Sequence, residues 1–236
     1  MFEPSGKSIQ QLAYAGSGAA LGSMSFAGPP APRFLGWASA VKRGEDIVLA
    51  ALLLALLAAP LLLIGLLIRL ESPGPALFRQ RRIGLDGTSF VMWKFRTMRC
   101  HSQQDGLLCQ ARRGDPRVTR VGAWLRRLSF DELPQLVNVL RGDMSLVGPR
   151  PHAPGTCAGG RPFEQISPSY AARHRVRPGL TGLAQVRGWR GETETEDKLL
   201  HRVASDLEYI ETWSLWLDLA ILARTTAVVL RMRNAY

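Results

Sequence analysis

IVLAALLLALLAAPLLLIGLLI, residues 47–68, decides the fold. The run holds 22 residues and not one charged or hydrogen-bonding side chain. As a straight helix it reaches roughly 33 Å, enough to cross a bilayer, so length favours a single-pass anchor. Two features oppose that. Pro60 removes a backbone donor and clashes with the preceding turn, which predicts a kink near the middle of the run. Both flanks are also basic, with Lys42 and Arg43 before it and Arg69, Arg79, Arg81 and Arg82 after it. Positive residues prefer the cytoplasmic side. A helix that enters, bends at Pro60 and returns satisfies both flanks, whereas a spanning helix satisfies one. The balance leans to re-entry, with spanning as the alternative.

Working outward, residues 1–41 are rich in Gly, Ala, Ser and Pro and lack sustained periodicity, which predicts a disordered N-terminal tail. The apolar stretch starts too late for a signal peptide and lacks a cleavage site. From residue 72 onward the pattern is that of a compact domain. Ser72-Pro73-Gly74-Pro75 is a turn. Residues 76–78 and 89–95 read as short strands joined through Gly84-Leu85-Asp86-Gly87. Residues 118–128, 133–140, 195–213 and 215–230 read as helices. The last is apolar, with Trp213 and Trp216 near its start, and fits either a core or a membrane interface. The predicted organisation is a tail (1–41), a re-entrant membrane helix (42–71) and a catalytic domain (72–236). The fold class is α/β: a membrane-associated monotopic chain whose compact domain is mostly helical with a small sheet.

The formal net charge is +11, and only four of the 30 basic residues are Lys. Arg presents a planar fork that meets phosphate at two points. Such an excess fits nucleic acid, anionic lipid or a nucleotide-phosphate substrate. The apolar run and the lack of a recognition motif argue against nucleic acid. Cys100, Cys109 and Cys157 form no C-x-x-C pair, and the four His do not cluster, which argues against a zinc site or a disulfide framework.

The chemistry centres on Leu128-Ser129-Phe130-Asp131-Glu132-Leu133-Pro134-Gln135. Ser129-x-x-Glu132 matches a capping box. Pro134 weakens that reading, because proline favours the first position of a helix and not the fifth. A helix opening at Pro134 leaves Asp131 and Glu132 just ahead of its positive end, with Arg126 and Arg127 close by. A carboxylate can attack phosphorus and form an acyl-phosphate. Cations must then screen the developing charge, and Mg²⁺ and Arg forks do this. Two adjacent carboxylates suit one nucleophile and one metal ligand. From the residues alone, a capping or surface role stays the weightier reading.

Several stretches resemble the small bacterial membrane-bound phosphoglycosyl transferases, sugar transferases that begin exopolysaccharide repeat units. They are Lys42-Arg43 with Asp46; residues 72–84, from Ser72-Pro73-Gly74-Pro75 to Arg81-Arg82-Ile83-Gly84; Lys94-Phe95-Arg96-Thr97-Met98; Asp131-Glu132-Leu133-Pro134-Gln135; residues 138–151, ending in Gly148-Pro149-Arg150-Pro151; and residues 177–189, which include Arg177-Pro178-Gly179 and Gln185. The resemblance covers about residues 42–236. It implies transfer of a sugar-1-phosphate from a UDP-sugar to undecaprenyl phosphate, with UMP as the other product, at the cytoplasmic face of a bacterial inner membrane. By resemblance, Asp131 is the nucleophile and Glu132 the Mg²⁺ ligand. Arg126 and Arg150 match phosphate-binding positions, and Lys94, Arg177 and Gln185 are further substrate-binding candidates.

The family's broken re-entrant helix falls on the apolar run, with its bend at Pro60. Some members carry Ser before that proline; here it is Ala59. Residues 186–193 and 206–219 resemble the hexose-1-phosphate subgroup, so glucose or galactose is the expected sugar. An N-acetylated or diamino sugar is the alternative donor, and a non-catalytic basic membrane scaffold the alternative function. Membrane lipid is an expected partner, and homo-oligomerisation stays open. Gly142-Asp143 fits a plain turn, with a metal or substrate contact by Asp143 as the lesser alternative, and the glycines of Arg177-Pro178-Gly179 and Thr181-Gly182 fit tight turns or, through backbone N–H groups, a phosphate contact.

Overall fold

Helix α1 (Trp37–Glu71) carries the apolar run. The computed structural model describes residues 36–99, 115–191 and 193–230. Most of the expected tail, together with Cys100, His101 and Cys109, lies outside the described residues. The helix begins at Trp37, ahead of the boundary drawn at residue 42, and stays helical on both sides of Pro60. The break expected there is therefore not an interruption of helical structure. Proline removes one hydrogen bond, and the Ala and Leu residues around it are strong helix formers.

Both ends of α1 are tied to the domain. Near its start, the buried Lys42 ammonium lies 2.8 Å from Asp218 Oδ2 and 3.0 Å from Asp46 Oδ1. Asp46 also accepts from Ser145 Oγ and the Leu146 N–H, and Asp218 from Tyr209 Oη and Trp213 Nε1. At its far end, Arg96 donates to the carbonyls of Ile68 and Ser72, covering acceptors that a helix terminus leaves open. Between Ala50 and Ile64 no residue is buried. Leu52, Leu56 and Leu62 are 62%, 76% and 77% exposed.

Strands β1 (Leu77–Ile83) and β2 (Ser89–Phe95) form an antiparallel hairpin. β1 is longer than the three residues expected, because the Arg79-Gln80-Arg81-Arg82 run hides its alternation. Asp86 and Gly87 take positive φ in the loop. Helix α2 (Arg120–Leu128) is capped twice: Thr119 Oγ1 accepts from the Gly122 N–H, and the Glu71 carboxylate accepts from the N–H groups of Arg120 and Val121. A Cβ on Gly122 would lie 2.1 Å from the Thr97 carbonyl oxygen, so only glycine allows this contact.

Helix α3 (Gln135–Arg141) packs Leu136 and Val139 into a core that also contains Ala50, Met92, Leu146 and Tyr209. A second cluster holds Ile64, Ile68, Phe95 and Leu125. Asn138 locks α3 to β2: its amide donates to the Val91 carbonyl and accepts from the Trp93 N–H. Arg43 donates to the carbonyls of Val139 and Leu140 at the end of α3.

Strand β3 (Ser145–Val147) runs parallel to β6 (Gly179–Thr181), and β4 (Cys157–Ala158) and β5 (Arg161–Pro162) make a minimal hairpin. The described residues thus contain three two-stranded sheets instead of one small sheet. Short helices α4 (Phe163–Ile166) and α5 (Leu183–Val186) precede α6 (Glu196–Thr212) and α7 (Leu215–Leu230). The last two match the expected helices to within a residue. Trp213 is buried, whereas Trp216 is 81% exposed.

Candidate active site

Asp131 and Glu132 occupy a 3₁₀ turn (Phe130–Glu132) wedged between α2 and α3. Ser129 ends α2 in the left-handed region (φ 59°, ψ 21°); its carbonyl accepts the Glu132 N–H, but its side chain makes no capping hydrogen bond to the turn. The capping-box reading is thereby overturned: Ser129 joins α2 to the turn through its backbone, without the side-chain cap that a capping box requires. Pro134 stands directly before α3, as its preference for a helix start predicted. The two carboxylates therefore sit on a rigid corner fixed by helices on both sides.

Glu132 is held by two cations. Arg150 makes a two-point clamp, Nη1 to Oε2 at 3.0 Å and Nη2 to Oε1 at 2.5 Å, and Lys94 Nζ lies 2.8 Å from Oε1. Burial would raise its carboxyl pKa, but Arg150 and Lys94 outweigh it and hold the group well below the usual carboxylate range. Asp131 behaves oppositely. Burial, and then the charge of Glu132, push its pKa up to about 6 against the pull of Lys94, Arg126 and Arg150. Asp131 has no hydrogen-bond partner among the described residues. The dyad thus divides into a clamped, more acidic carboxylate and a more basic, unclamped one.

Of the expected site residues, the fold brings Asp131, Glu132, Lys94, Arg126 and Arg150 together. Arg126 Nε donates to Thr97 Oγ1 at 2.8 Å. Arg177 is placed elsewhere: its Nε donates to the Gly142 carbonyl, beyond the far end of α3. Asp143 accepts from the Asn138 amide. Gln185 is buried and lines a cleft together with Arg150. The glycines at 148, 179 and 182 serve chain crossing: a Cβ on Gly179 would lie 2.1 Å from the Gly148 nitrogen, and one on Gly182 2.2 Å from the Gly148 oxygen.

Arg82 joins the set unexpectedly. Burial, and then the nearby Arg150, lower its pKa to about 10 against the charge of Glu132. Hairpin pairing sets Phe78 beside Lys94 and Arg82 beside Phe90, so Arg82 and Lys94 share one face. Strand alternation held that signal in the sequence, had β1 been given its full length. Arg190, whose guanidinium donates to Ser129 Oγ beside the dyad, is a second unforeseen neighbour.

The geometry is that of an anion site, with two carboxylates among Lys94, Arg126 and Arg150. Residues 37–232 match the model of the bacterial sugar transferases. The chain belongs to that family. It is 60% identical over 196 residues to a UDP-glucose:undecaprenyl-phosphate glucose-1-phosphate transferase of Caulobacter vibrioides, an alignment covering 83% of this chain and 72% of that protein. An Escherichia coli protein of the same description is 52% identical over 78% of this chain, but only 39% of that protein is matched. An exopolysaccharide production protein, PSS, of Rhizobium leguminosarum is 48% identical, with 78% of this chain and 92% of that protein aligned. The chain thus spans most of two of these relatives and about two-fifths of the third.

Proposed function

We propose that this bacterial sugar transferase moves glucose-1-phosphate from UDP-glucose to undecaprenyl phosphate through a covalent intermediate on Asp131. The observation that carries the reading is the unclamped Asp131 carboxylate beside three cations, Lys94, Arg126 and Arg150. A carboxylate oxygen of Asp131 attacks the phosphorus that bears the sugar. The bond from that phosphorus to the bridging oxygen breaks, and its electron pair leaves on UMP. A phosphate oxygen of the lipid then attacks the acyl-phosphate, giving the lipid-diphospho-sugar and restoring the carboxylate. The Arg150 fork and Lys94 stabilise charge on the transferring phosphoryl oxygens.

The donors present fit Mg²⁺. A carboxylate offers about four lone-pair sites, and Lys94 and Arg150 occupy three on Glu132, leaving one on Oε2. Among the described residues no group of three or more His, Cys, Asp or Glu could hold a metal. One or two carboxylates with substrate phosphate is the arrangement Mg²⁺ favours. When bound at Glu132, the ion supplies charge neutralisation for the diphosphate.

Membrane attachment falls to α1, read as re-entrant from the cytoplasmic face. Ala50 belongs to the cluster that contains Leu136 and Leu146, and Ile64 and Ile68 to the one that contains Phe95 and Leu125, so both arms pack into cores of the same domain. The stretch between them, residues 51–63, rises roughly 20 Å, short of the ~30 Å hydrocarbon core. This anchorage keeps the dyad near lipid phosphates and replaces a three-dimensional search by proximity.

The test is UMP release from a panel of UDP-sugars by detergent-solubilised protein with undecaprenyl phosphate and Mg²⁺, beside Asp131→Asn. UMP from the wild type with UDP-glucose, and none from the variant, is expected. Turnover by Asp131→Asn at the wild-type rate would sink the covalent route. Silence across the panel with folded protein would return the scaffold reading.

A further inference from the structure

Arg82 is a half-buried cation with which no carboxylate pairs among the described residues. Strand β1 turns it onto the hairpin face that carries Lys94. The next residue, Ile83, donates its N–H to the His152 carbonyl at 3.0 Å, which ties this end of β1 to the segment two residues beyond Arg150. The guanidinium makes one hydrogen bond, from Nη2 to Gln80 Oε1 at 2.6 Å. Its Nε is buried without a partner among the described residues, and its Nη1 is unpartnered there too but not sealed off as Nε is. Desolvating a cation without pairing it is costly, so the position is built for an anion that arrives from outside.

The other cations of the site are differently engaged. Lys94 and Arg150 both hold Glu132, and Arg126 donates to the neutral Thr97 hydroxyl. The ionisable groups that Arg82 faces are Arg150, Glu132 and Tyr170, whereas those that Asp131 faces are Glu132, Lys94, Arg126 and Arg150. Arg82 thus stands on the Glu132 side of the dyad and Arg126 on the Asp131 side. The Arg150 side chain, common to both, is 33% exposed, so the site opens to solvent at that point.

We propose that Arg82 holds the phosphate that is not transferred: first the one that departs on UMP, then the lipid phosphate that takes its place. The inference rests on the transfer reaction above. In that reaction the phosphorus under attack sits at Asp131, and the departing phosphate lies one bridging oxygen further on. The cation that faces Glu132 but not Asp131 is placed for this second phosphate. The sugar, the other substituent of the attacked phosphorus, is uncharged and does not neutralise a desolvated guanidinium. As the bridging bond breaks, the departing phosphate takes the electron pair, and its charge rises from one to about two. Arg82 therefore holds it more tightly in the transition state than in the ground state, and that difference lowers the barrier.

The experiment compares the binding of UMP and of uridine by calorimetry, at constant Mg²⁺, in the detergent-solubilised wild type, Arg82→Gln and Arg82→Met. UMP release from the panel of UDP-sugars is measured beside it. The wild type should bind UMP at least about tenfold more tightly than uridine, and the variants should lose most of that factor while binding uridine as the wild type does. Their UMP release should fall by roughly 10²-fold. Their ligand-free melting temperature should not drop, because removing an unpaired cation breaks no ion pair. Variants that keep the wild-type preference for UMP over uridine would overturn the inference, while UMP release by the wild type leaves the transfer reading standing. Two variants that melt lower or fail to fold would also overturn it and make Arg82 a structural residue. If the wild type releases no UMP from any UDP-sugar, the transfer reading fails and this inference falls with it.

Discussion

Arg173 Nη2 donates to the main-chain carbonyl of Arg150 at 2.7 Å, so a buried ion pair with Asp206 sets where the Arg150 guanidinium begins. The guanidinium in turn closes on both oxygens of Glu132. Arg150 is thus fixed at its backbone and at its tip, and what it offers an incoming phosphate is geometry as much as charge.

Arg150→Lys should therefore behave like a loss. It retains the charge but removes the fork, and lysine cannot hold two oxygens in one plane. A fall in kcat/KM of roughly 10²-fold or more is expected, close to that of Arg150→Ala. Steady-state UMP release measures it. A lysine variant within about threefold of wild type would mean that only charge matters at this position.

The dyad makes a signed prediction about pH. Asp131 has a pKa raised to about 6, so its nucleophilic form is lost as pH falls through 6. The rate of the first half-reaction should decline about tenfold per unit below that point. The same shift destabilises the ionised fold: the penalty is absent below the ordinary carboxylate pKa and complete above about pH 6. Asp131→Asn should therefore raise the melting temperature at pH 7.5, by the equivalent of about 1–3 kcal/mol, and lose that advantage near pH 4. Glu132, whose pKa is lowered, contributes stability above its unfolded pKa that is lost as pH falls. Glu132→Gln should accordingly lower the melting temperature at pH 7.5, because it leaves Lys94 and Arg150 without their counter-ion. Opposite signs at adjacent positions are the outcome that a mere surface role would not give.

A third prediction concerns Lys42. Its ammonium is shared by Asp46 and Asp218, which are buried on α1 and α7. Lys42→Met leaves two buried carboxylates with hydrogen bonds but without their lysine, a change that typically costs about 3–5 kcal/mol. Unfolding in denaturant should show that loss, and Lys42→Met with Asp218→Asn should recover part of it. Full additivity of the two substitutions would mean that they do not form one network.

Local chemistry in this chain was legible in the sequence and distant pairing was not. Pro134 marked the start of α3, and residues 215–230 marked α7, because proline and a continuous apolar run act within a few residues. The Asp131-Glu132 pair stood out as a unit, but its division into clamped and unclamped carboxylates depends on Arg150, eighteen positions away. Asn138 bridging to Val91 and Trp93, and Arg173 pairing with Asp206, are likewise contacts between remote segments that no local pattern encodes. Arg177 shows the same limit: its Nε donates to the Gly142 carbonyl, a contact with a remote segment that the Arg-Pro-Gly turn does not announce. The glycines at 148 and 179 follow suit, since a glycine chosen for a backbone crossing is indistinguishable in sequence from one chosen for a ligand.

The last prediction tests the membrane helix. Trp37 is 79% exposed near its start and Leu70 is 73% exposed near its end, while the domain grips the helix just inside both points. Single cysteines placed at these two positions in a cysteine-free background report topology in sealed inverted and right-side-out vesicles. Under re-entry, both should react with an impermeant maleimide from the cytoplasmic side only, and a cysteine at Leu56 or Leu62 should be shielded from both sides. A spanning α1 would place positions 37 and 70 on opposite faces. It would also have to tear either the Lys42–Asp218 contact or the Arg96 cap from the domain, because one compact body cannot hold both ends of a helix across ~30 Å of hydrocarbon. Labelling from opposite sides would therefore overturn both the re-entrant reading and the packing of one arm.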